Sequence, residues 1–231
     1  TVAMPAGGSS TVDCPSQATA PTAPQVQDNC GRSLSVTGPA ASADPTCGGT
    51  KTYTFTYTDC AGNTHPWVYT YTIRPPVVIV PAGGSQTVDC VALAVAPAPP
   101  AVIDNCGNPV VPSTPVVSPD PPCAGTKTYT FTYTTCDGTK YDWVYTYTIL
   151  PPTVAMPAGG SSTVDCPSQA TAPAPPEVRD NCGRVLNVGN AVSGSDPPCA
   201  GTKTYTFTYS DCTGKTYDWV YTYTILPPTV A

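Results

Sequence analysis

The chain has 231 residues, of which only 10% are charged, with 30 Pro, 19 Gly, 12 Cys and a net charge of −6. Its length suits two or three small domains, and its prolines exclude long helices, because each removes a backbone donor and clashes inside a helix. The negative balance leaves no basic stripe to neutralise phosphates or anionic headgroups, and no apolar run reaches the roughly 18 residues needed to span a bilayer, so neither nucleic acid nor a membrane span is expected.

The first predicted element is a short strand at Ser10–Cys14, after a turn at Pro5–Gly8. Thr22–Asp28 and Leu34–Val36 are weaker strand candidates on either side of the turn Asp28–Gly31. The clearest strand is Thr50–Thr58. Lys51, Tyr53, Phe55 and Tyr57 fall on one face and threonines on the other. This period of two marks a half-buried strand built from β-favouring residues. After the turn Cys60–Pro66, Trp67, Tyr69, Tyr71 and Ile73 alternate with Val68, Thr70 and Thr72. The two strands therefore predict a hairpin with an aromatic inner face.

The same pattern returns twice. Cys14, Cys90 and Cys166 are spaced 76 apart, as are Cys30, Cys106 and Cys182; Cys47, Cys123 and Cys199; and Cys60, Cys136 and Cys212. The copies are 1–76, 77–152 and 153–228, without insertion or deletion, and 229–231 read as the start of a further copy. The hairpin recurs as Lys127–Thr134 with Trp143–Ile149 and as Lys203–Ser210 with Trp219–Ile225. Short strands separated by turns predict an all-β chain of three tandem Ig-like β-sandwiches. Proline-rich stretches such as Ala96–Pro100 suit edge strands, which tolerate a missing donor. Pro75-Pro76 and Pro151-Pro152 hold the linkers extended. The expected shape is an extended rod on the order of 100–130 Å, the internal segment of a larger exported protein.

Twelve cysteines at repeating positions point to an oxidising, secreted or cell-surface setting. A copy of this size has a marginal core, and disulfides act as staples. Four cysteines per copy allow three pairings. With alternating strand directions, the turns carrying Cys30 and Cys60 share one end of a sandwich, and Cys14 and Cys47 share the other. That placement favours two disulfides per domain, Cys14–Cys47 and Cys30–Cys60. The copies would repeat them as Cys90–Cys123 and Cys106–Cys136, and as Cys166–Cys199 and Cys182–Cys212. Zinc spacing is lacking, since the chain has no CxxC pair and one His. No metal and no cofactor is expected.

Acid–base chemistry is sparse. The single His65 reads as an exposed turn residue, with Tyr141 and Tyr217 at the equivalent positions, and Glu177 is the single Glu. Asp13, Asp28 and Asp44 each adjoin a turn or a cysteine, which suits backbone capping. Asp28, Asn29 and Asp59 form a candidate calcium set. However, Asp59 becomes Thr135 in the second copy, and the ordered acidic pattern of a calcium loop is missing. Turn hydrogen bonds are the expected use of these side chains. The threonine rows are superficially similar to ice-binding arrays, but threonine is simply a good exposed strand residue. Exposed Thr and Ser leave O-glycosylation open, while no N-x-[ST] sequon exists. No catalytic residue is expected.

Asp28–Gly31, Thr50–Asn63 and Trp67–Ile73, with counterparts at Asp104–Gly107 and Asp180–Gly183, together resemble hyalin-like (HYR-like) repeats of large surface proteins from Bacteroidota. The resemblance covers all three copies. It implies Ig-like modules in long adhesins or filament-like surface proteins, typically exported by the type IX system, with no catalytic residue carried over. Animal hyalin repeats usually place a Cys in the last strand, whereas here that strand begins at Trp67 and holds none. The expected function is a structural segment of a secreted fibre or adhesin stalk. Its partners would be further copies of the repeat in the same chain or neighbouring chains in a filament. The alternative is a glycan- or surface-binding adhesin module, which predicts an exposed aromatic patch.

Overall fold

The computed structural model describes residues Thr1–Thr229. Val230 and Ala231, part of the expected start of a further copy, lie outside the described residues. The first repeat has four strands: β1 (Gly8–Val12), β2 (Ser35–Ala41), β3 (Gly49–Thr58) and β4 (Thr64–Ile73). The second has β5 (Gly84–Val88), β6 (Val102–Ile103), β7 (Pro109–Val110), β8 (Val116–Val117), β9 (Gly125–Thr134) and β10 (Lys140–Ile149). The third has β11 (Gly160–Val164), β12 (Asn187–Val188), β13 (Val192–Ser193), β14 (Gly201–Ser210) and β15 (Thr216–Ile225). The fold is all-β, with single 3-10 turns after Cys14, Cys90 and Cys166.

The predicted hairpin is the centre of the sheet. β3 and β4 pair antiparallel from Gly49↔Ile73 to Thr58↔Thr64, and β14 and β15 pair the same way. β1 adds to the far edge of β4 in parallel, Gly8↔Tyr69 to Val12↔Ile73, giving the order β1-β4-β3-β2. Parallel pairing brings strands from opposite ends of the repeat side by side, which no local pattern announces. Close approach there needs glycine: a Cβ on Gly8 would run into the Tyr69 ring. β1 also begins and ends two residues before the predicted Ser10–Cys14, because Cys14 starts the 3-10 turn that follows.

The predicted strand Thr22–Asp28 does not form a ladder. Pro21 and Pro24 have no N–H to give, and the segment's β-bridges, Gln27↔Ser33 and Val2↔Asp28, are isolated ones. It still makes the second layer over the aromatic face. Prolines cannot donate, but their carbonyls accept, and buried tyrosines need an acceptor. Tyr57 Oη therefore donates to the Pro24 carbonyl, and Tyr53 Oη to Ala18 O at 2.7 Å. Trp67 Nε1 reaches Ala6 O at 2.9 Å. The third repeat repeats all three contacts through Tyr209, Tyr205 and Trp219.

The core is this aromatic face. Val26, Tyr53, Phe55, Tyr57 and Trp67 form it in the first repeat, and Val178, Tyr205, Phe207, Tyr209 and Trp219 in the third, with Ala170, Leu186, Tyr223 and Ile225. Contacts divide the chain into two compact units. One is Thr1–Ala82 with Ala98–Pro115 and Thr130–Trp143; the other is Gly83–Pro97 with Val116–Tyr129 and Val144–Ala231. Each unit thus joins one complete repeat to part of the second. The expected bonds within repeats do not form. The four disulfides among the described residues run between consecutive repeats, and Cys30, Cys60, Cys166 and Cys199 are unpaired.

Candidate functional site: the disulfide joint

Two loops present cysteines from one end of each repeat. In the first loop, Asp28 Oδ1 accepts from the N–H groups of Cys30 at 2.9 Å and Arg32 at 3.0 Å. The chain then turns through Gly31 at φ 75°, in the left-handed region that favours glycine. Arg32 N–H is the main reason the Asp28 carboxyl sits below its usual range. Asp104 holds Cys106 and Asp180 holds Cys182 in the same way. In the second loop, Asp59 accepts from the Ala61 and Asn63 N–H groups and from Asn63 Nδ2, each at 2.9 Å. The Asn63 side chain leads in lowering its pKa to about 2. Asp211 builds the equivalent loop at Cys212. At Cys136, Thr135 replaces the aspartate, and Asp137 accepts from Thr139 N–H instead.

The opposite end presents the other two cysteines. Gln17 Oε1 accepts from the N–H groups of Asp13 at 2.9 Å and Cys14 at 3.1 Å, which closes the turn at Pro15–Gln17. Gln169 does the same for Asp165 and Cys166. The loop carrying Cys47 is closed by Lys51 on Asp44 at 2.6 Å, and its counterparts by Lys127 on Asp120 and Lys203 on Asp196.

The two kinds of end meet at a joint. In one unit Cys14 bonds Cys106 and Cys47 bonds Cys136, with Cα–Cα distances of 5.6 Å in both. In the other unit Cys90 bonds Cys182 and Cys123 bonds Cys212, at 5.5 Å in both. These are ordinary separations for a disulfide. The expected pairs Cys14–Cys47 and Cys90–Cys123 are therefore wrong: the two cysteines share a joint, but each is met by a loop of the next repeat. Cys106–Cys136 and Cys182–Cys212 are wrong for the same reason. Cys30–Cys60 and Cys166–Cys199 do not form either.

The linker supplies the physical reason. Only Arg74, Pro75 and Pro76 separate β4 from Val77. Val77 N–H donates to Asn105 Oδ1 at 2.8 Å, and Asn105 N–H donates back to Val77 O at 3.0 Å. The loop of Cys106 is thereby tied to the first residue after the linker, directly beside Cys14. Thr153 and Asn181 make the same two bonds for Cys182. Sequence reasoning weighed Asn29 only as a calcium candidate and missed this tie, although an asparagine follows the turn aspartate in every copy, as Asn29, Asn105 and Asn181.

The other candidates take local roles. Asp28 and Asp59 spend their oxygens on their own turns, Asn29 Oδ1 accepts from the Thr1 amine at 3.2 Å, and no cluster of metal-ligating side chains occurs among the described residues. Asp13 pairs with Arg74 at 2.9 Å and Asp44 with Lys51, ion pairs rather than the expected turn caps. His65 is half-buried in β4, not an exposed turn residue, with Nε2 3.5 Å from Asp59 Oδ2. Glu177 pairs with Arg179 at 2.7 Å. The exposed large hydrophobics of the described residues are Val, Ile and Leu, while tyrosines such as Tyr69, Tyr71 and Tyr141 are half-buried.

Residues 2–73, 78–149 and 154–225 each match the HYR-like domain with 4 cysteines. The chain belongs to that family. No curated protein matches it. Among solved structures it is similar to protocadherin gamma B7 extracellular cadherin domains 1–4, at 8% identity over 95% of this chain and 74% of that one, with a TM-score of 0.32. Drosophila N-cadherin EC1–4 matches at 9% identity over 98% and 72%, with a TM-score of 0.26. PcdhgB3 EC1–4 matches at 10% identity and a TM-score of 0.29 over 81% of this chain, which spans 59% of that structure's length. Scores this low carry no argument about topology or partners. The four cysteines of the second HYR-like repeat all serve joints: Cys106 and Cys136 bond the first repeat, and Cys90 and Cys123 bond the third.

Proposed function

We propose that these HYR-like repeats, 1–76, 77–152 and 153–228, form a stiff structural segment of a secreted or cell-surface fibre or adhesin stalk. The observation that carries this reading is the disulfide pattern. Bonds within a repeat would protect each sandwich but leave the joints to a Pro-Pro linker. Bonds between repeats place two covalent bridges across every joint, in parallel with the linker. Bending or shearing a joint then works against covalent bonds rather than one chain crossing. Each bridge closes a loop of 89 or 92 residues, which the chain-entropy account rates at about 4–5 kcal/mol at 25 °C. The aspartates, the chief source of acid–base groups, are engaged in turns and ion pairs, which suits a mechanical rather than a catalytic role. Immunogold electron microscopy of native material with antibody to this chain tests the proposal. Gold spaced along thin surface fibres or stalks is expected; gold confined to the cell interior or to isolated globular particles would refute it.

A further inference from the structure

The second repeat carries an open apolar groove. Val77, Ile79 and Pro81 line it from one segment, and Ala101, Val102 and Ile103 from another, around a volume of about 340 Å³. Alternation sets its surface. Val78 and Val102 turn into the core, so Val77, Ile79 and Ile103 turn outward and are 59%, 86% and 61% exposed. The two segments are held together by the bridge Val78↔Asp104 and by the two bonds that Val77 and Asn105 exchange at the joint. The groove is therefore preformed rather than made on binding.

Neither the sandwich nor the joint requires these side chains. The counterparts of Val77 are Thr1 and Thr153, and those of Ile79 are Ala3 and Ala155. Where the second repeat has Ala101 and Ile103, the first has Gln25 and Gln27, and the third has Glu177 and Arg179, which form an ion pair at 2.7 Å. All three repeats share the aromatic hairpin, and both joints use the same turns, so a residue needed by either would recur. The aliphatic set occurs in one repeat only, and it faces solvent. A clustered apolar surface of this kind marks a place where something is bound.

We propose that this groove is the contact between two copies of the chain, related by a two-fold axis, with Ile79 of each copy seated in the groove of the other. Two features select a second copy as the occupant. A two-fold contact needs one surface to carry both the protruding and the receiving part. Ile79 is the most exposed of the large hydrophobics, and it stands on the rim of the very groove it fills in the second copy. The contact must also bring no charge against its own image. The chain as a whole has a net charge of −6, but Asp104 is the one charged residue among the described residues that line the groove. Its oxygens are spent on the N–H groups of Cys106 and Asn108 and on Asn108 Nδ2. A charged partner would find nothing to pair with, whereas a copy of the same neutral surface loses nothing. Eight residues line the groove, against about 20–30 a side in an ordinary stable interface, so the pair is weak and reversible. The pairing goes beyond the stalk reading, and either stands if the other fails.

The test is sedimentation equilibrium of the whole chain with its four disulfides, after iodoacetamide has capped the unpaired thiols so that no covalent dimer forms. A reversible monomer–dimer equilibrium is expected, with hydrogen exchange at 77–81 and 101–105 slowing as the concentration rises. Two variants take the residue of another repeat at the same place: Ile79→Ala and Ile103→Arg. Both positions are exposed, and circular dichroism confirms that each variant folds. Each should weaken the dimer at least tenfold, since every residue of a two-fold contact counts twice. Val192→Ala, at an exposed valine outside the groove, should leave it unchanged. A chain that stays monomeric up to on the order of 1 mM, a dimer indifferent to both groove variants or weakened equally by Val192→Ala, or assembly that continues past the dimer would each overturn the proposal.

Discussion

Pulling on Thr1 and Ala231 measures the disulfide map directly, because an intact disulfide cannot be extended. With the bonds between repeats, the shortest covalent path runs 13 residue steps to Cys14, crosses to Cys106, runs 17 steps to Cys123, crosses to Cys212 and runs 19 steps to the last residue. That is 49 steps instead of 230. At ~3.6 Å per step and with two crossings, the fully stretched oxidised chain reaches about 190 Å, against about 830 Å after reduction. Bonds of the Cys14–Cys47 kind, one in each repeat, would bypass only 33 residues apiece, leaving 131 steps and about 490 Å. The three pairing states are thus separated by hundreds of ångströms. Optical tweezers with handles on both termini, without and then with dithiothreitol, resolve them in one experiment. An oxidised chain that stretches well past the shortest of these lengths refutes the joint as described, and a plateau at the intermediate length places the bonds inside the repeats.

Three further outcomes follow from the packing. Tyr209→Phe removes the hydroxyl that donates to the Pro176 carbonyl at 2.6 Å. It should cost about 1–2 kcal/mol in denaturant unfolding, with a larger loss for a bulkier disruption of the same core, and no loss would show that the proline-rich layer is held otherwise. Gly160→Ala drives a Cβ into the Tyr221 ring beside the parallel strand; about 1–3 kcal/mol of destabilisation is expected, and a neutral effect would count against β11 pairing with β15. The Asp59 carboxyl is held at about 2, below its ordinary 3.8, chiefly by the Asn63 side chain. A depressed carboxylate stabilises the fold above its unfolded value and loses that contribution as pH falls through the folded one. Stability should therefore decline between about pH 4 and 2, and Asp59→Asn should flatten that part of the profile; an unchanged slope in the variant would remove Asp59 as its source.

The hairpin of β3 and β4 was legible because Tyr53, Phe55 and Tyr57 alternate with threonine without a break, and the 76-residue period was legible because no insertion disturbs it. The second layer was not. Between Pro15 and Pro24 the prolines remove the donors that would make a ladder, and the segment is fixed instead by tyrosine hydroxyls reaching back 33 and 35 residues. The parallel pairing of β1 with β4 was hidden for a similar reason: partners such as Gly8 and Tyr69 come from opposite ends of the repeat and share no turn. At the joint, sequence reasoning grouped Cys14 with Cys47 at one end and Cys30 with Cys60 at the other, as the loops are placed. It failed on the partner. Asn105 and Asn181, which tie their loops to the first residue after a linker, are the residues that would have pointed across the repeat boundary.

That failure follows from periodicity itself. In an array of period 76, a cysteine and its counterpart one repeat later have the same neighbours, the same turn chemistry and the same spacing to every motif. Cys30 and Cys106 are such counterparts, and Cys14 bonds the more distant one, at a sequence separation of 92. Local pattern cannot choose between them; linker length can. A long flexible linker would leave the loops of consecutive repeats apart and favour closure within a copy. The short Arg74-Pro75-Pro76 link between β4 and Val77 holds the next repeat's loop against Cys14 before oxidation begins, so the bond across the boundary has the higher effective concentration. Stability then becomes a property of neighbours, as in other repeat arrays. The second repeat has all four cysteines bonded, two to the first repeat and two to the third, so its bracing comes from its neighbours rather than from bonds within its own sequence.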